Sequence, residues 1–194
     1  MGGIKRLKPG DSIGIFSPSS PITYSCPKRF KRAKKYLQDK GFNIIEGKLT
    51  GKHDFYRSGS IQERAEELNE LIRNPEVKCI MSTIGGMNSN SILPYIDYEA
   101  FKKNPKIIIG YSDVTAILLA IYAQTGVNPY YGPALVASFG EFPPFVDYTY
   151  KYFQEILVDD IKIPHLFEPP KYWTEEYINW ETQDRSKKKT ENQW

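Results

Sequence analysis

Residues 106–122 read KIIIGYSDVTAILLAIY, and the reading of this stretch decides the fold. Lys106–Ile109 is short, β-branched and nearly all apolar, the pattern of a strand buried on both faces. Gly110-Tyr111 turns the chain. Asp113–Gln124 has the composition of a helix and is stopped by Gly126. A buried strand that feeds a helix through a tight turn is one step of a parallel β/α arrangement, because parallel neighbours need a crossover.

The same step recurs upstream. Ser12–Ser17 (SIGIFS) follows the turn Pro9-Gly10 and reads as a first strand, stopped by Pro18-Ser19-Ser20-Pro21. Pro27–Lys40 carries Phe30, Ala33, Tyr36 and Leu37 at helical spacing, with Gly41 as its stop. Phe42–Gly47 is a second strand. Ser60–Arg73 is a helix with a capping-box signature, Ser60 followed three residues later by Glu63. Val77–Ile84 is a third strand, broken by Gly85-Gly86, and Asn88–Leu93 begins a helix or turn. The order β-α-β-α-β-α-β-α predicts an α/β fold: a doubly wound, mostly parallel sheet with helices on both faces, Rossmann- or flavodoxin-like. Ligands of such sheets bind outside the carboxyl ends of the strands. Four loops meet there: Ser17–Ser25, Lys48–Gly59, Gly85–Ser91 and Gly110–Asp113. Beyond Pro129 the pattern weakens to a helix over Asp147–Leu157, a strand-like Ile161–Pro164 and a segment rich in proline, aromatics and charge. The division predicted is an α/β domain over 1–166 and a junction segment over 167–194, leading to a C-terminal domain that this chain lacks.

Composition narrows the function. The 194 residues are 40% hydrophobic and carry 26 Lys+Arg against 23 Asp+Glu, a net charge of +3. That is enough apolar residue for a core, and no basic stripe suggests nucleic acid. Mean hydropathy is −0.49, and no apolar run is long enough to span a membrane. Two cysteines, Cys26 and Cys79, and two histidines, His53 and His165, argue against a disulfide framework or a metal centre. Met1-Gly2-Gly3-Ile4-Lys5-Arg6 has neither a secretory apolar region nor a myristoylation signal. A cytoplasmic setting without membrane partner, metal or cofactor is the expectation.

Ser112 is the candidate catalytic residue. A serine on a sharp strand-to-helix corner exposes Oγ at the sheet edge, in the manner of a nucleophile elbow, and the next amide lies at a helix N-terminus that favours negative charge. Val114 stands where that motif has its second glycine, which implies different helix packing. The commoner use of Ser112 or Asp113 at such a place is as a helix cap. Ser82–Ser91 (STIGGMNSNS) puts paired glycines directly after a strand. Their amides, with that of Asp113, suit an oxyanion or phosphate, although a plain tight turn has the same sequence. Neither histidine is better placed to serve as a base than to sit on a solvated surface.

Taken together and in order, these motifs resemble the LD-carboxypeptidase family of serine peptidases, and within it the microcin C immunity branch. SPSSP at 17–21, Tyr56-Arg57-Ser58-Gly59 before Arg64-Ala65, IGGMNSNSILPYIDY at 84–98, IGYSDVTAIL at 109–118, YYGP at 130–133 and EPPKYWTEEYINWETQDR at 168–185 carry the likeness. The resemblance implies two domains and a Ser-Glu-His triad. It assigns the nucleophile to Ser112 and the oxyanion hole to the amides of Gly86 and Asp113, and places the Glu and His in the second domain, so that this chain alone is expected to be inactive. Gly85, Asn88, Trp180 and Tyr172 become substrate-binding candidates, Trp180 and Tyr172 against a nucleobase. The implied activity is cleavage of an amide bond near a free carboxylate, with a peptide or peptidyl-nucleotide substrate and a homodimeric assembly. A murein tetrapeptide substrate, and a non-catalytic ligand-binding α/β module, are the alternatives. If Ser112 is a nucleophile, its backbone is expected in a sparsely allowed region. Either association through the surface left open, or a disordered tail beyond about Pro169, is expected.

Overall fold

The computed structural model describes residues 4–159, 164–182 and 189–193. Five parallel strands form one sheet: β1 (Ser12–Phe16), β2 (Asn43–Glu46), β3 (Val77–Ser82), β4 (Ile107–Gly110) and β5 (Tyr130–Tyr131), in the order β2-β1-β3-β4-β5. The order reverses between β1 and β3, so the crevice at their carboxyl ends is the topological switch point at which such sheets bind ligands.

Side-chain alternation along these strands builds two cores. Ile13, Ile15, Cys79, Met81, Ile107 and Ile109 face one layer, made by α2 (Pro27–Asp39), a π-turn at Leu135–Phe139 and α6 (Phe145–Leu157). Phe16, Val77, Ile80 and Ile108 face the other, made by α3 (Ile61–Arg73), α4 (Tyr98–Lys103) and α5 (Thr115–Thr125). A short α1 (Ile22–Ser25) precedes α2. Successive strand residues point to opposite faces, so near-continuous apolar strands are what a sheet covered on both sides requires. The capping box of α3 is formed: Glu63 N donates to Ser60 Oγ (3.2 Å) and Ser60 N donates to Glu63 Oε2 (2.9 Å).

The doubly wound α/β fold read from the sequence is the one observed. Some details differ, and one lies outside the described residues. β5 has only two residues, too few to show a period. A 3₁₀ turn at Ser112–Val114 precedes α5, which therefore starts at Thr115 and not at Asp113. The strand expected at Ile161–Pro164 falls on residues 161–163, outside those described.

The segment after α6 is not without packing. Glu181 accepts the amides of Lys28 (3.0 Å) and Arg29 (3.0 Å) at the start of α2, where a carboxylate is favoured by the helix dipole. Trp180 packs on the first core, under the Arg29 guanidinium, 4.0 Å from its ring centroid. Tyr148 Oη donates to Glu168 O (2.7 Å). Tyr172 and Trp173 (β6) pair antiparallel with Thr190 and Glu191 (β7).

Candidate active site

The corner after β4 has an unusual backbone. Ser112 has φ +61°, in the left-handed region, while Tyr111 before it is extended and Thr115 after it is helical. A non-glycine residue there is held against a cost of about 1–3 kcal/mol, and such positions cluster at functional sites. A serine acting only as a helix cap would be extended and would bond the turn with Oγ. Here the first turn is closed instead by Thr115 Oγ1, which donates to Ser112 O (2.5 Å). Ser112 is exposed, and its hydroxyl makes no hydrogen bond to a described residue.

Val114 is accommodated by a glycine on the other side of the serine. A β-carbon on Gly110 would lie 2.8 Å from Val114 Cγ1. The small residue that the elbow needs is thus supplied by the strand, and the helix takes the branched side chain into the core.

The glycine pair lies against this corner. A β-carbon on Gly85 would stand 3.1 Å from Asp113 N and 3.2 Å from Ser112 Cβ. Gly86, at φ +153°, faces the loop after β1: a β-carbon there would stand 2.7 Å from Ser19 Cβ and 2.7 Å from Ser20 Oγ. Neither the Gly86 amide nor the Asp113 amide donates to a described residue. The Asp113 amide adjoins Ser112 in the chain, and Gly86 follows the Gly85 that lies against Ser112; a developing oxyanion is stabilised by unused donors of this kind where they converge on it.

Three residues to which the sequence reading gave no role in the site build the support. Ser19, buried, receives the amides of Met87 (3.0 Å) and Asn88 (3.2 Å) and donates to Asn88 Oδ1 (2.7 Å). Arg64, also buried, donates to Pro18 O (2.6 Å), Gly59 O (3.0 Å) and Asn88 O (3.1 Å), which ties together three of the four loops at the sheet edge. Burial pushes its guanidinium down from the usual arginine value, Arg57 adds to this, and Asp113 opposes it. Glu67, also buried, accepts Ser17 N (2.7 Å) and Leu49 N (2.7 Å), and burial raises its pKa to about 7. The signals were present: paired serines after the first strand, and an arginine and a glutamate on the apolar stripe of a helix. Each has a plain surface reading until the fold places it inside.

The substrate-binding candidates divide. Gly85 lies at the elbow. Asn88 Oδ1 is occupied by Ser19 and by Arg64 Nη1 (3.0 Å), so this oxygen supports the loop. Trp180 is joined to the site through Arg29, which donates to Val136 O (2.8 Å), and Val136 N in turn donates to Thr83 O (3.0 Å) at the end of β3. Tyr172 contacts Lys171 and Lys189 and is not brought to the others by any described contact. His53 stacks on Tyr24 at 3.9 Å, and His165 lies 3.0 Å from Glu155 beside Tyr152 and Phe167. Neither histidine bonds Ser112. Among the described residues, no cluster of His, Cys, Asp or Glu could hold a metal, and no helix is long and apolar enough to cross a membrane.

Comparison with known proteins gives the family of the chain. The family model of the LD-carboxypeptidase N-terminal domain matches residues 13–132. The microcin C7 self-immunity protein MccF of Escherichia coli is 57% identical over 174 residues, 90% of this chain and 51% of its own. A carboxypeptidase-named protein of Vibrio cholerae is 60% identical over 190 residues, 98% of this chain and 57% of its own. The solved structure of MccF in complex with aspartyl sulfamoyl adenosine superposes with a TM-score of 0.93 at 52% identity, over 99% of this chain and 57% of that one. The chain thus spans little more than half the length of these relatives. On the matched residues and the elbow they contain, the chain belongs to the LD-carboxypeptidase family.

Proposed function

We propose that this chain is the nucleophile-bearing part of a serine carboxypeptidase or amidase that cuts an amide bond near a free carboxylate. The observation that carries the reading is the exposed Ser112 at φ +61°, with Gly85 against it and the amides of Gly86 and Asp113 unused. Ser112 Oγ attacks the carbonyl carbon and forms a tetrahedral adduct. The carbonyl oxygen takes up negative charge between the two amides, each worth about 3 kcal/mol in comparable sites. The proton of Oγ goes to a base, which returns it to the leaving amine. No described residue of this chain is hydrogen-bonded to Ser112 as such a base. The Glu and His implied by the family resemblance belong, in this reading, to the region of the relatives that this chain does not span. Residues 1–166 then form the nucleophile domain and 167–194 its junction with that region, and this chain by itself hydrolyses nothing at an appreciable rate.

The substrate proposed is a peptidyl-nucleotide or a related aminoacyl adenylate analogue. Support comes from the 52% identical relative solved with aspartyl sulfamoyl adenosine, and from an indole, Trp180, anchored beside the crevice through Arg29. Stacking on that ring would recognise the base, while Ser112 meets the acyl end. The test is turnover of aspartyl sulfamoyl adenosine against that of a murein tetrapeptide by the complete enzyme. Preference for the nucleotide supports the reading, and preference for the tetrapeptide replaces it.

A further inference from the structure

The turn at Asn88-Ser89 is gripped from two sides. Asp113 Oδ2 accepts the amides of Asn88 (3.1 Å) and Ser89 (3.0 Å). Arg64 Nη1 donates to the Asn88 carbonyl (3.1 Å) and to Asn88 Oδ1 (3.0 Å). Ser89 Oγ donates back to the Asp113 carbonyl (2.5 Å). A carboxylate thus takes the N–H groups of the turn, and a guanidinium takes its oxygens. Charge-assisted bonds of this kind are about twice as strong as neutral ones. The guanidinium is held in turn by Pro18 O and Gly59 O, so it does not move with the turn it grips.

We infer that Asp113 and Arg64 are positioning residues, which clamp the Asn88-Ser89 turn so that the Gly86 amide, two residues upstream, stays in register with the Asp113 amide. The inference rests on the reading of those two amides as oxyanion donors. A donor is effective only about 2.7–3.1 Å from the oxyanion, and Gly86 has no side chain of its own to fix it. The clamp gives both donors one reference: Asp113 supplies one amide from its backbone and fixes the other through its carboxylate. This also explains why the residue after the nucleophile is an acid in a place where negative charge is to be stabilised. Its carboxylate is spent on two amides of the neighbouring loop.

The test is steady-state kinetics of the complete enzyme with Asp113→Ala, Asp113→Asn, Ser89→Ala and Ser112→Ala, together with thermal melting. D113A is expected to lower kcat by about a hundred- to a thousand-fold, as loss of one oxyanion donor does, with KM within about threefold, since ground-state binding is not touched. D113N keeps an oxygen where both amides point and is expected within about tenfold of the parent. S89A, a single hydroxyl deletion, is expected to lower kcat by about three- to tenfold at unchanged KM, and carries the test if D113A does not fold. An unchanged kcat in D113A, or in S89A where D113A is unfolded, overturns the clamp. If S112A is inert in that case, the nucleophile reading survives. Activity that persists in S112A overturns the nucleophile reading itself.

Discussion

Gly86 is turned onto Ser19 so closely that a β-carbon on the glycine would stand 2.7 Å from Ser19 Cβ and nearer still to its hydroxyl. No side chain fits there, and φ +153° is a conformation that L residues rarely adopt. Gly86→Ala must therefore push the loop off Ser19 and carry the amide out of the site. The expected result is a fall in kcat of at least about a hundredfold, with about 1–3 kcal/mol of lost stability. Kinetics and denaturant titration on the same preparation check both.

Ser19 holds the other side of this contact. Its hydroxyl serves Met87 N, Asn88 N and Asn88 Oδ1 inside the protein. Ser19→Ala removes a hydrogen bond from Met87 N, while Asn88 N keeps Asp113 Oδ2 and Asn88 Oδ1 keeps Arg64, a loss of about 1 kcal/mol. A drop in the urea midpoint at unchanged slope is expected. A midpoint equal to that of the parent would show that water replaces the hydroxyl.

Glu67 predicts how stability changes with pH. Burial raises its folded pKa to about 7, above the usual 4.5, and the two backbone amides on its oxygens limit the rise. The folded state therefore binds the proton more tightly than the unfolded state. The associated stability is fully present below about pH 4.5 and is lost as pH rises to 7, up to about 3 kcal/mol in all. Glu67→Gln cannot ionise, and it gives up one acceptor of a backbone amide. It should be less stable than the parent at pH 5, with the gap closing by pH 8. Parallel pH profiles for the two proteins would contradict the assignment.

Trp180 predicts a substrate effect without a chemical one. Its ring rests against Arg29 and is not part of the elbow. Base stacking contributes about 1–3 kcal/mol, so Trp180→Ala should raise KM for a nucleotide-bearing substrate about tenfold or more and leave kcat nearly unchanged. An equal rise for a substrate without a base would remove Trp180 from recognition.

The sequence showed the frame of this molecule better than its site. The strands around Ile13, Ile80 and Ile108 and the capping box at Ser60 are local patterns, written in periods and spacings that need no partner. The corner at Ser112 was visible as a glycine and a serine between a strand and a helix, and the left-handed backbone gives it its shape. The residues that support the site were in view, but their roles were not, because each acts across the fold. Ser19 and Met87 are 68 positions apart and Asp113 and Asn88 are 25 apart, and they meet only once β1, β3 and β4 lie side by side. β5 was missed because two residues carry no period. The contact of Trp180 with Arg29 was not foreseen, because Arg29 lies buried on a helix whose charges otherwise face solvent.

The most direct test of the central claim is covalent labelling. The complete enzyme is treated with a fluorophosphonate and the modified peptide is mapped by mass spectrometry, with Asp113→Ala and Ser112→Ala alongside. The account predicts a single stoichiometric adduct on Ser112, slowed in D113A and absent in S112A. An adduct on another serine, or equal labelling of S112A, would contradict it.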